Sequence, residues 1–148
     1  MRKIILMLLL SIATIFASDV KWEKDYHTAI EAAKKQNKPI LFISSRHSCK
    51  YCVMLDETTL KDKRVVEELN RDFISVTSYS DERDYIPREL WRPGTPAIWF
   101  LLPSGEPMFE PVMGAIDSKS FLQALGIVKE EFNKRKGNKK NDFYKLNK

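Results

Sequence analysis

The stretch PILFISSRHSCKYCVMLD, residues 39–56, decides the fold of this chain. Its first seven residues form a short apolar run, which is typical of a β-strand buried on both faces. The chain's two cysteines, Cys49 and Cys52, follow at once and open a predicted helix that runs to about Thr59. A buried strand that leads directly into a C-x-x-C helix is therefore the starting point for the rest of the chain.

The segment before this stretch has the pattern of an amphipathic helix. Ser18 or Asp19 is predicted to cap its start, because short polar side chains accept hydrogen bonds from the first N–H groups of a helix. The residue before Pro39 is pushed out of the helical region, so the helix is predicted to end there. The face predicted to be buried consists of Trp22, Tyr26, Ala29, Ile30 and Ala33.

The segment after the cysteines completes a strand–helix–strand unit. Asp62 is predicted to cap a further turn or two of helix, and DFISVTS (72–78) has the pattern of a second strand. A helical connection between the two strands implies that they are parallel. The inner face of the short helix is predicted to consist of Val65, Val66 and Leu69.

The second half of the chain contains two more strand patterns joined by a turn. Pro87 is predicted to start a short helix, PRELW, because proline favours the first helical position. AIWFLL (97–102) is predicted to be a buried strand, and PSGE (103–106) a turn. PMFEPVM (107–113) is predicted to return antiparallel along the sheet edge, since its two prolines cannot donate ladder hydrogen bonds.

A last helix is predicted to begin with Asp117 or Ser118 as its cap. The side chains predicted to point inward are Phe121, Leu122, Leu125 and Val128. The resulting order, α-β-α-β-α-β-β-α, predicts one α/β domain over residues 18–128. We expect a central mixed four-stranded sheet with helices on both of its faces.

Residues 1–17, MRKIILMLLLSIATIFA, have the order of a secretory signal peptide: two cations, an apolar run and a small residue. Cleavage is predicted after Ala17. The apolar run is short for a membrane span, which needs about 20 residues, so an uncleaved anchor is the alternative. The mature chain is therefore expected in the periplasm, where disulfides form and persist.

The net charge of +5 comes from the two ends of the chain. Residues 129–148 contain eight Lys or Arg and three Asp or Glu, whereas residues 18–128 are slightly acidic. The basic charge therefore does not indicate a nucleic-acid-binding domain. Residues 129–148 are predicted to be a basic extension in which the last helix ends and disordered chain follows. Contact of its cations with an acidic partner or anionic lipid is the alternative.

The spacing of the cysteines limits the chemistry that they can perform. A structural zinc site needs four ligands, and the chain has no second cysteine pair. Covalent haem attachment needs histidine after the second cysteine, where this chain has Val53. A structural disulfide across so short a loop would stabilise the fold only modestly. The alternative that explains the spacing is a redox-active pair.

In the redox interpretation, Cys49 and Cys52 lie at positions i and i+3 of a helix, close enough to form and break a disulfide. Cys49 is predicted at the helix N-terminus, where the helix dipole favours a thiolate. Arg46, His47 and Lys50 add positive charge that should lower its pKa further. Cys49 is therefore the predicted nucleophile, and the more buried Cys52 is predicted to resolve the mixed disulfide.

Three motifs in this order resemble the thioredoxin superfamily across residues 20–128. They are the C-x-x-C pair, a G-T-P motif at Gly94, Thr95 and Pro96, and Gly114 before the last helix. The C-x-Y-C form, with Tyr51, and the stretch ETTLKDKRVVEELNRDFISV (57–76) more closely resemble the exported SoxW and DUF255-like group.

The resemblance implies that Pro96 follows a cis peptide bond and faces the cysteine pair. The Thr95 backbone would then be free to pair with an extended substrate peptide. Lys50 and Tyr51, which lie between the cysteines, are also predicted to contact the substrate. Tyr85 and Trp91 would either form an apolar rim with Tyr51 or belong to the core.

These features predict an exported, monomeric thiol–disulfide oxidoreductase that reduces or isomerises disulfides in periplasmic proteins. A membrane electron donor is expected to reduce the Cys49–Cys52 disulfide after each reaction. No cofactor or metal is expected besides this redox-active disulfide. One alternative is a non-catalytic thioredoxin-fold chaperone or assembly factor. Another is a reductant dedicated to apocytochrome c maturation.

Overall fold

The computed structural model describes residues 19–146, so the predicted signal peptide lies outside the described residues. A four-stranded sheet forms the centre of the molecule, with its strands in the order β2-β1-β3-β4. The elements are α1 Tyr26–Gln36, β1 Ile40–Ser45, α2 Lys50–Glu57, a 3₁₀ turn Thr59–Lys61, α3 Lys63–Asp72, β2 Ile74–Tyr79, a 3₁₀ turn Arg88–Leu90, β3 Ala97–Leu101, β4 Val112–Met113 and α4 Ser118–Leu146.

The sheet is mixed, as the sequence predicted. β1 is parallel to β2, with Ile40 opposite Ile74 and Ser45 opposite Tyr79. β3 pairs antiparallel with β1 on the other side, and the two-residue β4 pairs antiparallel with β3. The parallel pair follows from the α2–α3 connection, because a helical crossover returns the chain in the direction of the first strand.

Every residue of β1 is buried, because both faces of the sheet are covered. Leu41 and Ile43 belong to the apolar cluster that contains Leu55 of α2 and Phe121 of α4. The alternate strand positions, including Phe42, join the cluster formed with α1 on the opposite face. This alternation explains why an unbroken apolar run was the right signal for this strand.

The first helix begins at Tyr26, so the predicted cap at Asp19 is wrong, and Ser18 lies outside the described residues. Asp25 is the cap, and its carboxylate accepts a hydrogen bond from the Thr28 N–H at 2.8 Å. The Thr28 hydroxyl accepts in turn from the Asp25 N–H at 3.1 Å, which completes a capping box. Trp22 is not on a helix face but forms a parallel bridge with Ser75 and is 42% exposed.

The helix after the cysteine helix matches its predicted cap but is longer than predicted. Asp62 caps α3 by accepting a hydrogen bond from the Arg64 N–H at 2.9 Å. The helix then extends for ten residues rather than a turn or two. Its buried side chains are the predicted ones: Val65, Val66 and Leu69.

The edge strand is shorter than predicted. Regular pairing covers only Val112 and Met113, and Pro107 contributes one isolated bridge to Leu101. The prolines of the segment interrupt the ladder because they lack an N–H donor. The edge position itself agrees with the sequence prediction.

The last helix begins after Asp117, whose carboxylate accepts a hydrogen bond from the Ser120 N–H at 3.0 Å. It continues to Leu146, so it ends within residues 129–148 as predicted, while the disorder predicted to follow it stays a prediction. Phe132 is buried, and the i,i+4 pair Glu131–Arg135 adds support beyond the predicted core face. Within residues 19–146, no helix combines the length and apolarity needed to cross a membrane.

Candidate active site

The two cysteines lie where α2 begins, at the end of the central strand. Cys49 is the cap residue of α2, with an extended backbone, and its sulfur accepts a hydrogen bond from the Cys52 N–H at 3.2 Å. Cys49 is half-buried, whereas Cys52 is only 1% exposed and lies in the first turn of the helix. This placement matches the predicted geometry of an accessible cysteine followed by a buried one.

Different surroundings move the two thiol pKa values in opposite directions. Burial alone would raise the pKa of Cys49. Hydrogen bonds outweigh burial and lower this pKa; they come from the Cys52 and Thr95 side chains and from the backbone of Cys52 and Tyr51. Burial and the hydrogen bond with Cys49 raise the pKa of Cys52. The thiolate form is therefore favoured at the more accessible sulfur.

The cations predicted to tune Cys49 all lie at exposed positions. The His47 imidazole Nε2 lies 2.7 Å from the Glu82 carboxylate, and the ring stacks on Tyr79 at a centroid distance of 4.0 Å. The carboxylate therefore offsets any positive charge on His47. Arg46 and Lys50 are exposed, so solvent screens their charges. Tuning of Cys49 by these cations stays a prediction, beside the hydrogen bonds that lower its pKa.

The loop that contains Thr95 and Pro96, directly before β3, lies against Cys49. The Thr95–Pro96 peptide bond is cis, and the Cys49 thiol donates a hydrogen bond to the Thr95 carbonyl at 3.3 Å. The Pro96 carbonyl accepts from the Gly114 N–H at 2.9 Å. Gly114 has a φ of +86°, a conformation that favours glycine. The structure thus brings together the C-x-x-C, G-T-P and glycine motifs.

The aromatic residues predicted as a rim or core prove to be exposed. Tyr51 and Trp91 are 57% and 58% exposed. Tyr85 is also exposed, but it stacks on His27 of α1 at a centroid distance of 4.8 Å. The sequence interpretation missed exposed Met113, whose position directly before the motif glycine was the available signal.

The described part of the chain has no cluster of side chains arranged to bind a metal ion. Among the side chains that the structure describes, in residues 19–138, His, Cys, Asp and Glu nowhere form a group of three or more that could hold a metal ion.

The Cys49 thiol should ionise below the ordinary cysteine pKa of about 8.5, because its hydrogen bonds stabilise the thiolate. The rate of iodoacetamide alkylation against pH, measured in Cys52→Ser, reports this ionisation. Cys52 measured in Cys49→Ser is the control and should need a higher pH. A Cys49 midpoint at or above about 8.5 would contradict the hydrogen-bond argument.

A family model described as thioredoxin-like matches residues 21–103. Mouse Anterior gradient protein 3 is 27% identical over 81 residues, which cover 49% of this chain and 49% of that protein. Rat Spermatogenesis-associated protein 20 is 33% identical over 64 residues, which cover 43% of this chain and 8% of that protein. The chain thus spans about half, or much less, of the length of the curated relatives it matches.

Solved structures show the same fold at low sequence identity. A thioredoxin from Thermus thermophilus has a TM-score of 0.63 at 23% identity, covering 74% of this chain and 87% of that one. A structure described as DsbH oxidoreductase has a TM-score of 0.58 at 17% identity, covering 81% of this chain and 91% of that one. The predicted α/β fold is confirmed, while the finer resemblance to the SoxW and DUF255-like group stays a prediction.

Proposed function

The chain belongs to the thioredoxin-like family, and from that premise we propose that it is a thiol–disulfide oxidoreductase that acts through Cys49 and Cys52. One observation carries this proposal. The half-buried Cys49 has a lowered pKa, while Cys52 beside it is buried and has a raised pKa. A purely structural disulfide does not require this difference between its two sulfurs.

The proposed reaction has two exchange steps. The Cys49 thiolate attacks a disulfide bond of a substrate protein, which we call the client. This attack forms a mixed disulfide between Cys49 and the client and releases the other client sulfur as a thiolate. Cys52, as a thiolate, then attacks the Cys49 sulfur and releases the second client sulfur. The client disulfide gains two electrons, and Cys49–Cys52 becomes the oxidised disulfide.

The surroundings of Cys49 suit an extended, partly apolar client segment. The Thr95 carbonyl already faces the Cys49 sulfur, so a client strand paired with this backbone would place its own sulfur nearby. Exposed Tyr51, Trp91 and Met113 offer apolar surface on the segments that carry the site motifs. Exposed Lys50 adds a cation between the cysteines.

The proposed setting is the periplasm, where the protein acts as a monomer and is kept reduced by a membrane electron donor. The leader-like residues 1–17 support export. The hydrogen bonds to Cys49 stabilise the reduced form, which makes the disulfide more oxidising. The protein can therefore reduce client disulfides in the cell only if the donor keeps its cysteine pair reduced. Disulfide isomerisation is the alternative role.

Acid quenching of native host cells, followed by thiol labelling, tests the direction of electron flow. We expect the Cys49–Cys52 pair to be mostly reduced while the membrane donor is intact and oxidised when the donor is removed. A pair that is almost wholly oxidised with the donor intact would identify an oxidase and overturn the reducing role.

A further inference from the structure

A groove lies at the end of the sheet opposite the cysteines. It consists of two cavities of about 320 and 250 Å³, which are continuous because Asn37, Phe132 and Lys136 line both. Pro39 also lines the groove and directly precedes the first residue of β1, whereas the cysteines follow the last residue of that strand. Since a strand of this length spans about 17–20 Å, the groove is well separated from the cysteine pair.

Positive charge dominates the lining of this groove. Among the described residues, a single carboxylate, that of Asp72, lines the groove. Residues 18–128 are slightly acidic as a whole, so the groove concentrates positive charge at one end of the domain. The cationic side chains that line it are Lys34, Lys38, Arg71, Lys129, Arg135 and Lys136.

Carboxylates of the protein neutralise three of these six cations. The nitrogen–oxygen distances are 2.7 to 2.9 Å, within the range of charge-assisted hydrogen bonds. The pairs are Arg71 with Asp72, Lys129 with Glu68, and Arg135 with Glu131.

The other three cations are Lys34 of α1, Lys38 of the loop that follows, and Lys136 of α4. They form no ion pair with any side chain that the structure describes. The Lys136 ammonium lies 5.3 Å from the centroid of the Phe132 ring, a contact that positions the charge without neutralising it. The carbonyl ends of α1 and α3 each add only about half a negative charge, so positive charge remains in surplus.

The last helix continues this positive charge past the groove. It extends to Leu146, and residues 137–148 contain four lysines and one aspartate. The same segment contains Phe143, Tyr144 and Leu146. Lysines interspersed with aromatic and aliphatic residues are typical of helices that lie at a bilayer interface.

We propose that the groove and the C-terminal part of α4 bind the surface of an anionic phospholipid bilayer. Lys34, Lys38 and Lys136 contact headgroup phosphates, since clusters of about four to eight cations on or beside a helix are typical of binding to anionic lipid. A bilayer fits better than an acidic protein because it also accommodates the apolar residues of 143–146. Cys49, at the other end of β1, then faces away from the bilayer.

Flotation of the exported chain with phosphatidylglycerol or phosphatidylcholine vesicles tests this proposal. We expect binding to phosphatidylglycerol that weakens as salt is added, and much weaker binding to phosphatidylcholine. An uncleaved leader would bind both kinds of vesicle, so their difference reports the effect of charge. Removing the three unpaired cations should lower the partition coefficient on phosphatidylglycerol by at least about 10-fold. This variant is Lys34→Ala/Lys38→Ala/Lys136→Ala.

A matched variant removes the same charge elsewhere. Lys24→Ala/Lys63→Ala/Lys119→Ala changes three exposed lysines that do not line the groove. It should bind phosphatidylglycerol vesicles nearly as well as the wild-type chain. Circular dichroism checks that both triple variants fold.

The lipid proposal and the redox proposal can fail separately, because vesicle binding does not depend on the cysteines. Absence of binding to phosphatidylglycerol, or equal losses in the two triple variants, overturns the lipid proposal. Binding to polyglutamate but not to vesicles overturns it too and identifies an acidic protein as the partner. Slower alkylation of Cys49 by iodoacetamide on vesicles overturns the proposed orientation.

Discussion

Cys49→Ala should lower the rate of insulin reduction in dithiothreitol to the rate of the uncatalysed reaction. Cys49 supplies the attacking sulfur, and Cys52, which is 1% exposed and has a raised pKa, is not placed to take over. Insulin precipitation followed by turbidity measures the loss. Because Cys49 is a cap residue whose sulfur accepts one backbone hydrogen bond, the fold should survive the substitution.

Cys52→Ala is the matched control for this prediction. It keeps the nucleophile and removes the resolving sulfur, so mixed disulfides through Cys49 should accumulate and be visible as mass adducts. The assignment of roles is wrong if Cys49→Ala keeps substantial activity. It is also wrong if Cys52→Ala fails to form adducts that the wild-type chain resolves.

Phe42→Ala should cost about 3–5 kcal/mol of unfolding free energy, the range for truncating a buried phenylalanine. Phe42 is fully buried in the central strand and contacts the ring of Tyr26 edge-on at a centroid distance of 5.6 Å. Truncation leaves a cavity beneath α1, in the strand that leads to the cysteines. Urea denaturation followed by circular dichroism measures the loss.

Phe109→Ala makes the same chemical change at a side chain that is 39% exposed and should cost clearly less. Since small domains are stable by only about 5–15 kcal/mol, Phe42→Ala removes a large share of the total. Equal losses in the two variants would contradict the assignment of Phe42 to the core.

The strength of local signals explains which elements were predictable. β1 and α2 combine an unbroken apolar run with a C-x-x-C pair, and both lie where predicted. The start of α1 was missed because Asp19 and Asp25 are equally good caps by residue type. The choice depends on tertiary pairing, since the Glu23 N–H donates to the Ser75 carbonyl at 2.8 Å and holds this segment extended.

The motifs of the site were predictable, but the hydrogen bonds around Cys49 were not. Three separated motifs placed the cysteines and Pro96 together because the family resemblance fixed their arrangement. The cationic residues of the same stretch suggested electrostatic tuning. Their influence depends on partners that only the fold reveals, such as Glu82, which lies 35 positions from His47 in sequence and 2.7 Å away in space.

The sequence pattern also did not show how far α4 extends into residues 129–148. Residues 129–148 are rich in Lys and Asn, which favours the prediction of a solvated tail. Burial of Phe132 and the ion pair of Lys129 with Glu68 of α3 instead tie the start of this segment to the domain. Such long-range contacts leave no local signature.

Equilibration of the wild-type protein in glutathione and dithiothreitol buffers, from about −180 to −320 mV, tests the central claim most directly. After acid quenching and alkylation, mass spectrometry counts the free thiols at each potential. We expect Cys49 and Cys52 to convert together in a single two-electron transition, with little singly modified protein. A pair that stays in one state across the whole range, or stable glutathione adducts in place of the Cys49–Cys52 disulfide, would contradict a redox-active dithiol.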